Sequence, residues 1–347
     1  MKTASVNSSI GIRSISGGSC DFHMVTLANL LKKYQIRNTN TLVPIGGGKD
    51  SVVTAELLRN IKADITLLRM GGHPFITQLA KEMKLPLLTV ERHLSPTLFD
   101  LNAQGALNGH VPITAYLSCV TILISQLYGF DAVAISSERS ASEGNVEFHG
   151  KEINHQWSKS LEFERAFQDY LQKYVTNTVQ FFSMLRPLSE LHIAKIFAQY
   201  PRYFSLTTSC NTNWRTIKER PKEPWCGVCP KCAFVFSLLA AFLSQKQVTE
   251  MFSKNLYEDV ALLPLYRELL GLEGFKPFEC VGTPEETKAA FLLAHERGDF
   301  EETAMMKMFV KDVLPSTKDP KKLIDECLTP SSDHTIPSEY LSALPKS

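Results

Sequence analysis

The sequence lacks a surplus of charge of either sign. Its 347 residues carry 37 basic and 36 acidic side chains, which leaves a net charge of +1. A protein that binds nucleic acid mainly through its overall charge is strongly basic, because it must neutralise phosphates. We therefore expect no nucleic-acid partner held in that way, and the charge balance weakens a tRNA-modifying function.

The sequence also lacks a long uninterrupted apolar run. Its longest apolar stretch, residues 113–135, contains serine, glutamine, glycine and aspartate, so it predicts a buried helix followed by a strand and not a membrane span. Residues 1–18 are rich in serine and hold no apolar core of signal-peptide length. We therefore expect no membrane contact, no export and a cytoplasmic protein.

From residue 41 the chain alternates between strand-like and helical patterns. This alternation predicts an α/β fold with a doubly wound parallel sheet and helices on both faces. Ligands of such sheets bind at the carboxyl ends of the strands. The predicted strands are residues 41–45, 65–68, 86–90, 132–136 and 181–185, and the early helices are about 51–61, 74–83 and 112–128.

Three consecutive glycines separate the first predicted strand from a helical pattern that begins at Val52. Glycines let the backbone turn tightly and bring its N–H groups close to an anion, and the N-terminus of the helix adds a positive dipole end. The segment predicts a diphosphate-binding loop, although the glycines alone are also compatible with a turn that binds nothing. The residues expected to bind the nucleotide are Gly46, Gly47, Gly48, Lys49, Asp50 and Ser51.

The glycine loop does not fit the Walker phosphate loop. That motif requires a glycine where this chain has Val43, and serine or threonine where it has Asp50. The loop resembles instead the PP-loop of enzymes that split ATP into AMP and diphosphate, whose usual form begins with serine at the position of Gly46. Ser51 would then offer a hydroxyl to the phosphates, and Asp50 would hold Mg²⁺ or cap the helix.

Four of the eight cysteines are clustered, which indicates a metal site in a reducing compartment. Four thiolates at this spacing can surround one tetrahedral Zn²⁺ and leave no open position, so the site would be structural. An iron–sulfur cluster or unmetallated thiols are the alternatives. The cluster consists of Cys210, Cys226, Cys229 and Cys232. The isolated cysteines, expected to be small buried hydrophobic residues, are Cys20, Cys119, Cys280 and Cys327.

Two polar segments follow the predicted strand 132–136. Residues 137–145 lie where an active-site loop belongs, and residues 154–159 add further polar and cationic groups around one indole. Either segment alone is compatible with a surface loop, but both together beside a phosphate loop favour substrate contact. The candidate catalytic residues are His155, Glu138, Lys159 and Arg139. His73, which follows two glycines after a strand, is a candidate for contact with adenine or ribose.

Seven motifs together carry a family resemblance: GGGKDS, NGHVPITA, SSERSASEGN, NHQWSKSLEFE, RPLSEL, CGVCPKC and KPFECVG. Over roughly residues 41–290 the chain resembles the ATP-dependent UDP-N-acetylmuramoyl-L-alanyl-L-glutamate epimerases of bacterial peptidoglycan synthesis. The resemblance implies a PP-loop fold of the HUP type and the use of ATP with Mg²⁺. It also implies release of AMP and diphosphate, and inversion of the terminal L-glutamate of a UDP-muramoyl dipeptide.

Two other functions remain open. The four-cysteine pattern also resembles a PP-loop ligase such as 7-cyano-7-deazaguanine synthase or a tRNA-modifying enzyme, although the polar segments after residue 136 and the KPFECVG stretch argue against it. A non-catalytic regulator that senses ATP through the same loop is the third possibility. For epimerisation, we expect His155 and Glu138 to transfer the protons, then Lys159. Cys119 is a further option because thiols do this in cofactor-free racemases.

We divide the chain into four parts on these patterns. Residues 1–40 form an N-terminal segment of unassigned role, and residues 41–232 form the PP-loop α/β domain that ends in the four-cysteine knuckle. Residues 233–315 form a helical C-terminal region. The tail, residues 316–347, is rich in serine, proline and aspartate and is expected to be loose.

Overall fold

The computed structural model describes residues 40–107, 111–144, 146–214, 223–274 and 277–345. Of the predicted N-terminal segment only Asn40 belongs to the described residues, and Cys20 lies outside them.

Five parallel strands form the central sheet. They are β1 (Asn40–Pro44), β2 (Asp64–Met70), β3 (Leu87–Val90), β4 (Ala132–Ile135) and β7 (Gln180–Ser183). Their order across the sheet is β3-β2-β1-β4-β7. These are the five strands predicted from the sequence, and that prediction is confirmed. A separate antiparallel hairpin, β5 (Val146–Phe148) with β6 (Lys151–Ile153), was not predicted.

Twelve α-helices connect and follow the strands in the described residues. The first five are α1 (Lys49–Asn60), α2 (Pro74–Met83), α3 (Pro96–Ala103), α4 (Ile113–Tyr128) and α5 (Leu161–Tyr174). The next four are α6 (Glu190–Phe197), α7 (Pro230–Ala240), α8 (Gln245–Phe252) and α9 (Leu263–Leu269). The last three are α10 (Pro284–Arg297), α11 (Ala304–Asp312) and α12 (Pro320–Leu328).

Successive residues of a strand point to opposite faces of the sheet, and here they enter two different apolar clusters. Val43 of β1 and Ala134 of β4 belong to one cluster, together with residues of α1, α2 and α6. Leu42 and Val133, their neighbours along the chain, belong to the other, together with residues of α4 and α5. Helices therefore cover both faces, and the predicted α/β fold with a parallel sheet is confirmed.

The helical C-terminal region shares its core with the sheet. Phe234 of α7, Phe291 of α10 and Phe309 of α11 are fully buried in the same cluster as Val43. The rings of Phe291 and Phe309 stack, with their centroids 5.1 Å apart. The predicted regions 41–232 and 233–315 are thus packed together around one core.

The expectation of a loose tail is wrong. Residues 320–328 form α12, and Cys327 and Ile336 are buried. The ring of Tyr340 packs on Phe182 of β7 at 4.7 Å, and its hydroxyl is 3.1 Å from the Thr41 hydroxyl of β1. The serines and prolines of this segment suggested that it is loose. A few apolar residues lie between them, and these residues pack on the sheet because the chain returns to it.

The long apolar stretch has the structure that its polar interruptions predicted. Helix α4 ends at Gly129, whose φ of 75° is the left-handed conformation that glycine adopts readily, and β4 follows. None of the helices in the described residues is both long and apolar enough to cross a bilayer.

Candidate active site

The site lies at the point where the strand order reverses. Strand β1 has β2 on one side and β4 on the other, so the segments after β1 and β4 meet at the same edge of the sheet. The segment after β1 is the glycine loop, and the segment after β4 is the polar loop that starts at Ser137. Both segments were predicted to contact a ligand, and the sheet topology brings them together.

The glycine loop depends on the absence of side chains. Gly47 has a φ of +83°, and a Cβ on it would lie 3.3 Å from Ile76 and 3.5 Å from the Trp214 ring. The carbonyl of Gly47 accepts a hydrogen bond from the Thr208 N–H at 2.9 Å. Among the described residues no side chain caps α1, whose N-cap is Gly48, so its first-turn N–H groups suit an anion.

Several polar atoms of the two polar segments and beside the glycine loop are buried without a partner among the described residues. They include the Ser140 hydroxyl, the Ser209 hydroxyl and the side-chain amide of Gln156, which is 3% exposed. Buried polar groups in native proteins are nearly always paired, so such atoms indicate a missing partner. They fit a polar ligand that contacts the glycine loop and both polar segments. The Ser51 hydroxyl, by contrast, donates to the Gly48 carbonyl at 3.1 Å.

Lys49 does not extend toward the space in front of the loop. Its side chain is 3% exposed and forms ion pairs with Glu190 and with Asp50. Burial would lower the pKa of Lys49, but the carboxylates of Asp50 and Glu190 outweigh it and raise the pKa. Lys49 therefore stays charged and anchors the start of α1 to the start of α6.

Glu190, the first residue of α6, bridges two lysines. It is 1% exposed, and its second oxygen lies 3.1 Å from Lys231 Nζ. Burial would raise the pKa of Glu190, but Lys231 and Lys49 overcome it and hold the pKa at about 2. The Lys231 ammonium, whose pKa is raised by Glu190 against the effect of burial, also donates to the carbonyl of Cys280.

The buried Glu138 and the half-buried Lys159 belong to the same group of charges. Burial and the charge of Glu190 raise the pKa of Glu138, and Lys159 offsets this only in part. The Lys159 ammonium donates to the Cys280 sulfur at 3.2 Å. Burial would lower the pKa of Lys159, but Cys280 and Glu138 raise it. Two of the four predicted catalytic residues are therefore brought together.

Arg186 holds these two residues by their main chains. Its guanidinium donates to the carbonyl of Glu138 at 2.7 Å and to the carbonyl of Lys159 at 2.6 Å. It also pairs with the Glu164 carboxylate at 3.0 Å. With the arginine only 2% exposed, one buried side chain fixes the separation of both polar segments.

Glu286, which lies in the C-terminal region, is the last member of this group of charges. Its carboxylate accepts from the N–H of Glu190 at 2.7 Å and from the N–H of Thr283 at 2.8 Å. Burial, with a contribution from Glu190, raises the pKa of Glu286 to about 7. This carboxyl group links the start of α10 to the start of α6.

The remaining predicted residues lie in different places. The His155 ring is half-buried with its centroid 6.0 Å from that of Phe278, and the adjacent Asn154 amide donates to the Ala141 carbonyl at 2.9 Å. The buried His73 stacks on Trp214 at 4.4 Å, beside the glycine loop. Arg139 points away from the charged group, because its guanidinium donates to carbonyls of residues 326 and 329 at the end of α12.

The four clustered cysteines converge as predicted. Their sulfur atoms all lie within 4.8 Å of one another, for example 3.5 Å between Cys229 and Cys232. Four sulfur donors in this arrangement fit one tetrahedral ion such as Zn²⁺. Lys231 lies inside the knuckle, and Asn211, next to Cys210, donates to the Glu279 carboxylate at 2.7 Å. The knuckle thus connects directly to the charged group.

The isolated cysteines only partly match expectation. Cys327 is buried as predicted, but Cys119 is exposed on α4 and Cys280 is half-buried among charges.

The sequence interpretation did not predict four residues of the charged group, which are Arg186, Glu190, Lys231 and Glu286. The RPLSEL motif contains Arg186 and Glu190, and the cysteine knuckle contains Lys231, so the sequence held a signal for these three residues but none for Glu286.

Comparison with known families decides the assignment. Residues 19–184 match the MurL N-terminal domain, and residues 206–323 match the MurL C-terminal domain. The chain belongs to the MurL family. The charged group described above therefore lies at the junction of the two MurL domains, since Glu138 and Lys159 come from the first and Lys231 and Glu286 from the second.

Curated relatives in the MurL family carry one name, UDP-N-acetyl-alpha-D-muramoyl-L-alanyl-L-glutamate epimerase. The chain is 43% identical over 299 residues to that of Xanthomonas oryzae pv. oryzae (strain MAFF 311018), which covers 86% of this chain and 66% of the relative. It is 39% identical over 313 residues to that of a Micromonospora species, covering 90% and 69%. The chain thus spans about two thirds of the length of these relatives.

Proposed function

We propose that this protein inverts the terminal L-glutamate of UDP-N-acetylmuramoyl-L-alanyl-L-glutamate to D-glutamate, with ATP converted to AMP and diphosphate. The names of its relatives support the substrate. One observation supports the chemistry: buried and half-buried contacts run from the glycine loop through Lys49, Glu190 and Lys231 to Cys280 and Lys159. An anion-binding loop and acid–base groups would therefore share one site. The product would serve peptidoglycan synthesis.

The fold supports ATP as a substrate. The strand order, with its reversal at β1, and the glycine loop after β1 are features of a PP-loop fold of the HUP type, which we propose for this chain. The uncapped N-terminus of α1 would bind the diphosphate, and Asp50 would hold Mg²⁺. The Mg²⁺ ion would neutralise charge on the phosphates. The rings of His73 and Trp214 are in contact beside Gly47, where adenine or ribose would bind.

ATP would make the Cα proton of the glutamate more acidic. The Cα proton of an amino acid is very weakly acidic beside a carboxylate, because its removal would place two negative charges on neighbouring atoms. When the α-carboxylate attacks the α-phosphorus of ATP, it becomes an acyl-adenylate and diphosphate leaves. The Cα proton then becomes acidic enough for a protein base. Hydrolysis to AMP gives the inversion its direction.

The proton steps would use groups that the structure brings together. Glu138 and Lys159 occupy the ends of the two polar segments that Arg186 holds, and His155 lies beside Phe278 in the same region. A group that transfers a proton must lie within hydrogen-bond reach of the reacting atom. The acid–base groups must therefore lie close to one another around the substrate. We propose no substrate contact for Arg139, because its side chain is bound to α12.

The four cysteines would hold a structural Zn²⁺. They offer four sulfur donors, which leaves no position for a substrate. Their thiolates require a reducing compartment, and ATP and the nucleotide substrate are available in the cytoplasm, where we propose that the reaction occurs.

Chiral analysis of glutamate tests the proposed function. The protein is incubated with ATP, Mg²⁺ and the L-alanyl-L-glutamate nucleotide, and the glutamate is recovered by hydrolysis. We expect D-glutamate with equal amounts of AMP and diphosphate, and none without ATP. Asp50→Asn should abolish the reaction, whereas Asp100→Asn on the exposed helix α3 should not. Formation of ADP, or glutamate that stays entirely L, would contradict the proposal.

A further inference from the structure

The thiol of Cys280 lies in a charged environment that an ordinary buried cysteine does not need. The ammonium of Lys159, 121 residues earlier in the chain, donates to the sulfur at 3.2 Å. A second ammonium, that of Lys231, donates to the carbonyl of the same cysteine. An adjacent ammonium is the partner that reactive thiolates use in cysteine chemistry. Cys280 is therefore placed as a reactive group and not as a small apolar filler.

Cys280 is also connected to the nucleotide loop. Lys231, which contacts its carbonyl, pairs with Glu190, and Glu190 pairs with Lys49 at the start of α1. Lys49 in turn pairs with Asp50 of the loop. One hydrogen bond and three ion pairs thus join the Cys280 carbonyl to Asp50 of the loop.

The same ammonium connects Cys280 to a second acid–base group. Lys159 contacts the Cys280 sulfur, and its charge also acts on Glu138. Glu138 is 5% exposed, and burial favours its protonated form. A thiol in contact with this ammonium and a carboxyl group under the influence of the same charge are a complementary pair, since one can accept a proton while the other donates one.

On the basis of the proposed function, we propose that Cys280 is one of the two groups that transfer protons at the glutamate Cα, and that Glu138 is the other. In the L-to-D direction, one group takes the Cα proton, and the electron pair of the C–H bond enters the enolate of the acyl-adenylate. The other group then donates its proton to the opposite face of Cα, and the pair moves back into the new C–H bond. The two groups exchange protonation states, and proton exchange with water restores them.

Separate measurement of adenylation and proton exchange tests this assignment. Exchange of labelled diphosphate into ATP, in the presence of the L,L-nucleotide, reports adenylation. Deuterium at the glutamate Cα after reaction in D₂O, analysed separately in L- and D-glutamate, reports the proton steps. The variants are Cys280→Ala, Cys280→Ser and Glu138→Gln. Val281→Ala is the matched control, because Val281 is the buried neighbour of Cys280 and removal of its methyl groups disturbs the same segment.

We expect Cys280→Ala and Cys280→Ser to keep diphosphate exchange and to lower D-glutamate formation by roughly 100-fold or more. Of the Cys280 and Glu138 variants, one should lose Cα exchange entirely, and the other should incorporate deuterium into L-glutamate without inversion. The control should invert and exchange in the wild-type ratio.

Three results would overturn the assignment. Inversion by Cys280→Ala near the wild-type rate would remove the thiol from the reaction. A parallel loss of adenylation and exchange in Cys280→Ala and Val281→Ala would show that the segment has only a structural role. A wild-type protein that forms no D-glutamate would overturn the proposed function, and this inference with it. The first two results leave the proposed function intact.

Discussion

Replacement of Arg186 by methionine should weaken both the fold and the reaction. The guanidinium is buried, pairs with Glu164 and donates to the carbonyls of Glu138 and Lys159. Methionine fills a similar volume but donates nothing. The change leaves a buried carboxylate without its cation and two carbonyls without their donor.

The cost follows from the unpaired charge. Removal of one partner of a buried ion pair costs about 4 kcal/mol, most of which is the penalty for the charge that stays behind. Glu164 keeps the hydrogen bonds from the Ser183 N–H, at 3.0 Å, and from the Thr335 hydroxyl, and both reduce that penalty. Replacement of both charges, in the double variant with Glu164→Gln, should recover about 2 kcal/mol.

Urea unfolding followed by tryptophan fluorescence measures this effect. We expect a lower midpoint at an unchanged slope for Arg186→Met, and partial recovery in the double variant. In steady-state kinetics kcat should fall while KM for ATP changes little, because Arg186 holds the acid–base segments and not the glycine loop. Arg186→Lys keeps the charge but not the three contacts, so it should restore stability better than kcat. A loss below about 1 kcal/mol, or a double variant no more stable than Arg186→Met, would refute this reasoning.

Three further predictions concern a buried acid, the metal and the loop. Glu286, with a pKa of about 7 in the folded protein, binds its proton more tightly there than in the unfolded chain, so stability should fall by about 3 kcal/mol as pH rises from 4.5 to 7. Glu286→Gln should remove that loss, as measured by urea unfolding across this pH range. Cys232→Ser should release bound zinc, seen by elemental analysis, and should stop diphosphate release because Lys231 loses its anchor. Gly47→Ala should cost about 1–2 kcal/mol and raise KM for ATP, since its φ is +83° and Ile76 is close.

Each of these predictions has a matched control. Glu285→Gln changes an exposed neighbour of Glu286 and should leave the pH dependence of stability as in the wild type. Cys119→Ser removes an exposed thiol and should keep the zinc; iron with a visible absorption band would contradict a zinc site. Gly105→Ala has the same backbone strain, with φ +85°, but open space around it, so an equal rise in KM for ATP would contradict the role of the loop.

The sequence by itself determined the features of the fold and the site that depend only on residues close together along the chain. Strand and helix periodicity placed the five parallel strands, because alternation of apolar residues is set within a few positions. The three glycines before α1 and the spacing of the cysteines predicted a phosphate loop and a four-sulfur cluster in the same local way. The predicted nearness of the glycine loop and the first polar segment also followed from the sheet alone, since parallel strands end at one edge.

Only the tertiary structure decided which side chains share the buried site. Glu190 meets Lys49 across 141 residues, and Lys159 meets Cys280 across 121, separations at which no local pattern carries information. The sequence interpretation offered a thiol only as its last option, and that thiol was Cys119, which is exposed, whereas the fold brings Cys280 to the charges. The tail is ordered for the same reason, since Tyr340 contacts Thr41 and Phe182, which are distant from it along the chain. Burial among distant partners sets the charge of these groups, and burial exists only once the chain has folded.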